Sequence, residues 1–126
     1  MRLSSLSLAL ALAGGLAGCV TPSIPIPPPD PSSMTFAVTT DTGGAITSAS
    51  LSYPATDNYR GGITYVYNRT LGLGIIQDVN ADGSIGPTTP LDATAGHSLV
   101  VSVENDDQTV STCVLLREGT PNSVCQ

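Results

Sequence analysis

Ser98-Leu99-Val100-Val101-Ser102-Val103-Glu104 and Thr109-Val110-Ser111-Thr112-Cys113-Val114-Leu115-Leu116 are two runs in which apolar residues recur at every second position. In the first, Leu99, Val101 and Val103 alternate with Val100, Ser102 and Glu104; in the second, Val110, Val114 and Leu116 keep one phase with Thr112 between them. A period of two sends successive side chains to opposite faces of a strand, so each run predicts a strand with one buried face. The polar four-residue connection Asn105-Asp106-Asp107-Gln108 joins them as a hairpin.

Toward the amino terminus, further short runs rich in Thr, Val and Ile recur between turn signals: Thr35 to Thr40, Ile46 to Tyr53, Ile63 to Asn68, Leu73 to Asp78 and Ser84 to Leu91. No stretch from Met34 onward carries a 3.6-residue period, which argues for an all-β domain. Asp82-Gly83 marks a tight turn, because glycine tolerates the positive φ such turns need. About seven short strands predict a β-sandwich over residues 34–126, a length that suffices for one small core and leaves no room for a second domain.

Three segments add a resemblance: Val79-Asn80-Ala81-Asp82-Gly83-Ser84-Ile85, Thr94 to Val103, and Thr109-Val110-Ser111. With their Asp-Gly-Ser turn, their Gly-polar entry into a strand and a Ser near the last strand, they resemble the second half of bacterial immunoglobulin-like repeats over about 35 residues. The resemblance implies an immunoglobulin-like sandwich.

Ahead of the domain, residues 21–33 hold six of the ten prolines. Proline at this density removes backbone donors and favours a polyproline II path of about 3.1 Å per residue, so within the linker of residues 19–33 the stretch from Thr21 to Ser33 is expected to form a stiff tether roughly 40 Å long. Further upstream, Arg2 precedes an uncharged apolar stretch from Leu3 to Leu16 that is too short to span a bilayer and has the pattern of a secretory signal. The stretch ends in Leu16-Ala17-Gly18-Cys19, which resembles the lipobox of bacterial lipoproteins. That resemblance implies removal of residues 1–18, a diacylglyceryl group and a further palmitate-like chain on Cys19, and a mature protein lipid-anchored in the bacterial envelope. Two or three acyl chains hold a protein on a membrane durably, whereas one is marginal. Val20 stands where an Asp would signal inner-membrane retention, so the outer membrane is the favoured destination.

With Cys19 assigned to lipid, Cys113 and Cys125 remain as an even pair in an exported chain and are expected to form a disulfide. Four arginines, no lysine and ten acidic residues give a net charge of -6, or -7 without Arg2. Phosphate binding needs a basic surface, so nucleic acid is excluded as a partner. The same acidity leaves membrane attachment to the lipid, and the partners expected are envelope proteins or glycans.

Catalytic candidates are few. His97 is the one histidine, and no nucleophile motif accompanies it, so no enzyme activity is expected; the alternative is a small envelope hydrolase using His97 with Asp92 or Glu104. Asp78, Asn80, Asp82 and Ser84 place oxygen ligands at alternate positions like the first half of a calcium loop. Thr89 stands at the twelfth position instead of Glu, and prolines flank the stretch, so a plain turn with no metal and no other cofactor is the preferred reading. Asn68-Arg69-Thr70 is formally a glycosylation sequon. Tyr65 and Tyr67 share a strand face with the makings of a sugar- or protein-binding patch, although packing is the commoner fate of such a pair.

Overall fold

A computed structural model describes residues 24–117 and 123–125. The expected signal peptide, the lipobox and Cys19 lie outside the described residues. Six strands carry the fold: β1 (Thr35–Thr40), β2 (Ile46–Ser52), β3 (Ile63–Asn68), β4 (Leu73–Asp78), then β6 (Ser98–Asn105) and β7 (Gln108–Leu115). Two-residue pieces, β5 (Leu91–Asp92) and β8 (Ser123–Val124), complete the ladders. All pairings are antiparallel, in one sheet of order β1-β2-β5 and another of order β4-β3-β6-β7-β8. The fold is an all-β sandwich. A sheet of the first, second and fifth strands faces one built on the third, sixth and seventh, with β4 beside β3.

The alternating runs place the core. Val66 on β3, Leu99, Val101 and Val103 on β6, and Val114 on β7 are buried and meet Ala49 and Leu51 from β2 and Leu91 from β5. In β2 the phase shifts: Ile46 is buried, and so are Ala49 and Leu51, three and five positions on. A bulge explains it, since the register slips between Thr39 and Thr40 and places Thr47 as an extra residue that turns the side chains over.

Two expectations are corrected. The polar connection is tighter than four residues, because Asn105 pairs with Gln108 and leaves a two-residue turn of Asp106 and Asp107, at φ 46° and 64°. Positive φ at both central positions is the type I′ geometry that matches the twist of a hairpin, and Asp tolerates it better than most residues. The expected strand from Ser84 to Leu91 lies where a strand should, along β2, but its ladder is broken. Ile85 exchanges backbone hydrogen bonds with Tyr53, Thr88 bonds to Leu51, and regular pairing begins only at Leu91. Gly86 at φ +75°, Pro87 and Pro90 are the cause, since the prolines cannot donate to a ladder.

Cys113 and Cys125 are joined, with their Cα atoms 5.4 Å apart, and the bridge fastens β8 to β7. A closed loop of this size contributes about 3 kcal/mol in the chain-entropy account.

The proline-rich segment from Ile24 to Asp30 is no free tether. It lies along β7 as a strap, and because four of its seven residues are prolines, side chains of the domain supply the bonds a ladder would. The Ile26 N–H donates to Gln108 Oε1 at 2.9 Å, and Gln108 Nε2 donates back to the Ile24 carbonyl at 3.1 Å. Tyr59 Oη donates to the Pro27 carbonyl at 2.8 Å, Thr112 Oγ1 donates to that of Pro29, and the Asp30 N–H donates to Tyr53 Oη at 3.0 Å. Pro29 is fully buried. Asp30 then caps a short 3-10 turn, Pro31–Ser33, through Ser32, and the chain enters β1.

Candidate functional site

His97 sits at the start of β6, half-buried, and its Nδ1 is already engaged. Thr94 N–H reaches it at 3.3 Å and Asn68 Nδ2 at 3.0 Å. With donors on Nδ1, the proton is assigned to Nε2. Asn68 is the centre of this cluster. It is fully buried at the end of β3; its Nδ2 also donates to the Asp92 carbonyl at 3.0 Å, and its Oδ1 accepts from Thr70 N–H and Leu71 N–H at 3.0 and 3.1 Å. Both donors and both acceptor positions of the amide are used. The cluster ties β3 to β5 across the sandwich and folds the turn after β3. It consumes the Asn of the formal sequon, and a buried amide in four hydrogen bonds is closed to a glycan.

Asp92 contributes its backbone carbonyl to this cluster, and the Glu104 carboxylate is engaged elsewhere, accepting from Tyr65 Oη at 3.1 Å. Among the described residues no carboxylate is hydrogen-bonded to His97, so its Asn68 and Thr94 contacts hold the ring in place without supplying the orienting acid of a general base. A shallow depression lined by Ser33, Thr35, Ser52, Tyr53, Pro54 and Pro87 lies at the other end of the sandwich and does not include His97.

The Asp78 to Ser84 stretch leaves β4 and closes on itself. Asp82 Oδ1 accepts from Ser84 N–H at 2.9 Å and from Ser84 Oγ at 2.6 Å, which holds its carboxyl below the usual carboxylate range. Asn80 turns its amide nitrogen to Ser84 Oγ and to the Gly86 carbonyl, at 3.0 and 2.8 Å. Two of the four candidate ligands are thus bonded to each other, and a third presents a donor. Gly83 has φ +85°, and a Cβ there would stand 1.9 Å from the Thr56 carbonyl oxygen, so the turn is pressed against the neighbouring loop. No group of three or more acidic, His or Cys residues converges on a common point among the described residues.

What the molecule does expose is the outer face of the five-stranded sheet. Thr64, Val66 and Asn68 point inward from β3, which sends Ile63, Tyr65 and Tyr67 outward. Tyr67 is 45% exposed and stands opposite Gly74 on one side and Val100 on the other. Its ring lies close over Gly74, where an added Cβ would meet Tyr67 Cδ2 at 3.1 Å, so the glycine lets the aromatic ring lie down on the sheet. Tyr65 stands opposite Ile76, which is 71% exposed on the edge strand β4, and opposite Ser102. The hydrogen bond to Glu104 pushes the Tyr65 phenol up from its ordinary value. The pair expected to pack is therefore a surface feature: two tyrosines, Ile63, Ile76 and Val100 on one open face, with Glu104 and Ser102 beside them. The pattern was readable in part, because the inward Val66 fixes which way its neighbours point.

No family model, curated protein or solved structure matches the chain.

Proposed function

We propose that this chain is a lipid-anchored protein of the bacterial envelope, with the outer membrane favoured, whose immunoglobulin-like sandwich binds a protein or glycan partner without catalysing a reaction. The observation that carries the binding half is the outer face of β3 and β4, where Tyr67 laid across Gly74 and the exposed Ile76 leave apolar surface in water beside an open sheet edge. Apolar area left exposed forgoes about 25 cal/mol per Å², and aromatic rings with a polar tip are suited to contacts that are buried only on binding. The anchoring half rests on Leu16-Ala17-Gly18-Cys19 and the apolar stretch before it. The hydrolase alternative loses ground because His97 Nδ1 faces an amide and a backbone N–H.

Both halves have a test. An alkyne analogue of palmitate should label the wild-type chain and leave Cys19→Ala unlabelled; equal labelling of the two refutes the anchor. Crosslinking from an azido side chain placed at Asp78, on the same outward phase of β4 as Ile76 and opposite Ile63, should yield in the native envelope a specific adduct that Tyr67→Ala with Ile76→Ser abolishes. An adduct that survives this double substitution places the contact elsewhere.

A further inference from the structure

The strap begins beside Gln108, the residue that closes the β6–β7 hairpin, so the chain upstream of Ile24 leaves from that end of the sandwich. The loop before β3 shares this end: Ile63 pairs with Glu104, and Asn105 Nδ2 donates to the carbonyls of Asn58 and Arg60 at 3.0 and 3.1 Å. At the opposite end lie the β1–β2 turn, the β3–β4 turn after Asn68, and the Thr94 to His97 turn, whose Gly96 N–H and His97 carbonyl bond to Leu116 beyond the end of β7.

Cys19 is separated from Ile24 by five residue steps, which reach at most about 18 Å at ~3.6 Å per residue. A free segment from Cys19 to Met34 would instead reach roughly 46 Å as polyproline II. Docking of the strap thus removes more than half of the reach that the proline-rich segment has on its own.

We propose that the docked strap is a short leash that orients the domain on the membrane, with the β6–β7 hairpin end toward the bilayer and the Asn68, His97 and β1–β2 turns directed away from it. This rests on the lipid-anchor reading of Cys19. The hairpin end carries Asp57, Asp82, Asp106 and Asp107 against Arg60, which is itself paired with Asp57 at 3.1 Å. Such an end gains nothing from anionic headgroups, so covalent length and not charge sets the approach. A strand of eight residues spans about 26 Å, and the far turns stand off by that much more. A partner met from outside the membrane then reaches the far turns first, with the open face of β3 and β4 alongside.

The test is energy transfer from a dye on the full lipidated protein to acceptor-labelled headgroups in vesicles. The dye is carried on an azido side chain placed either at Thr109, beside the hairpin, or at Ala95, in the far turn. Transfer from position 109 is expected to exceed that from position 95 at least twofold. In Gln108→Ala with Tyr59→Phe, which removes the strap's clasp, the ratio should fall toward one, and Thr112→Val should lower it less. Equal transfer from the two positions in the wild-type chain overturns the leash. So does a ratio that survives the double substitution while hydrogen exchange shows the Ile26 amide freed. Flotation of the vesicles reports the anchor separately: protein left in the aqueous phase means that Cys19 carries no lipid, and the leash fails with it.

Discussion

The two open sides of the sandwich are closed in different ways. On the β4–β5 side the sheets are tied directly: Asn68 on β3 donates to the Asp92 carbonyl, and Gln77 on β4 accepts from Thr89 N–H at 3.1 Å. On the β1–β7 side a separate segment, the strap, lies along β7 and bonds to Gln108, Thr112, Tyr53 and Tyr59. The first closure centres on Asn68, which is fully buried with all its amide hydrogen bonds made, and adds the Gln77–Thr89 bond at the surface. The second uses a segment whose partners, the buried Tyr59 apart, are only half-buried and whose own backbone offers few donors. An element held by side chains at its rim opens at lower free energy than one whose bonds are buried within the core. The sandwich therefore has a fixed side and a side that can be undone.

The largest effects belong to the fixed side. Asn68→Ala leaves the Asp92 carbonyl and the Thr70 and Leu71 amides without their partner, and at about 1 kcal/mol or more for each orphaned group the loss is at least about 3 kcal/mol. Gly86→Ala is expected to be as severe, because φ is +75° and the new Cβ would stand 2.0 Å from the Leu51 carbonyl oxygen. Urea denaturation should show both variants largely unfolded or with a midpoint far below wild type. By contrast Gly96→Ala meets nothing within 4 Å and carries only the cost of its φ of +86°. If Gly86→Ala is no worse than Gly96→Ala, close packing is not what makes this side rigid.

The strap side should yield less. Gln108→Ala removes both bonds of the clasp at Ile24 and Ile26, a loss of about 1 to 2 kcal/mol for partly exposed groups. Its main readout is hydrogen exchange: the Ile26 amide should exchange much faster while amides of β6 stay protected. Uniform loss of protection would mean that the strap is part of the cooperative core. Alkali offers a second handle. Burial, with Tyr53 nearby, pushes the Tyr59 phenol well above its ordinary value of about 10. A raised pKa in the folded state contributes stability that is complete below the unfolded value and is lost as pH rises through and beyond about 10. Wild type should lose stability from about pH 10 upward, and Tyr59→Phe, which cannot ionise there, should be less sensitive over the same range despite starting lower.

The legible part of the molecule was the part governed by period two. Leu99, Val101 and Val103 announce one buried face, and the β3 and β4 bounds follow from runs that stop at Asn-Arg and at Asp-Val-Asn. The segment from Ser84 to Leu91 reads as a strand by its spacing and occupies a strand's place, yet Pro87 and Pro90 interrupt the ladder that its apolar residues would otherwise join. The strap was the least legible. Its composition gives the polyproline II path but not the destination, because the residues that receive it, Tyr53, Tyr59, Gln108 and Thr112, lie 23 to 84 positions away and none carries a local signal that marks it as a partner of the strap. The Asn68 cluster was hidden for a related reason: a side chain that satisfies two backbone amides, one carbonyl and one histidine reads, in the sequence, as the first residue of a sequon.

The smallest expected effect concerns the turn that leads from β4 into the fixed side. If that side owes its rigidity to hydrogen bonds and close packing alone, calcium should add nothing there. Asp82 already binds the Ser84 hydroxyl and amide, and Asn80 presents its NH2 to Ser84 Oγ and the Gly86 carbonyl. Coordination by these oxygens would require the Asn80 amide to turn over and the Ser84 hydroxyl to release Asp82, so the ion would break the bonds that shape the turn. A cation bound by the native state alone raises Tm by mass action. Tm in millimolar calcium should therefore equal Tm in chelator, for wild type and Asp78→Ala alike. Acid acts on the same carboxylate with the opposite expectation: the depressed pKa of Asp82 contributes stability present above the unfolded value of about 3.8 and lost as pH falls below it. A rise of several degrees in calcium that disappears in Asp78→Ala would show that the turn is a metal loop whose hydrogen bonds are those of the unfilled state, and the contrast between the two sides would then rest on an ion as well as on packing.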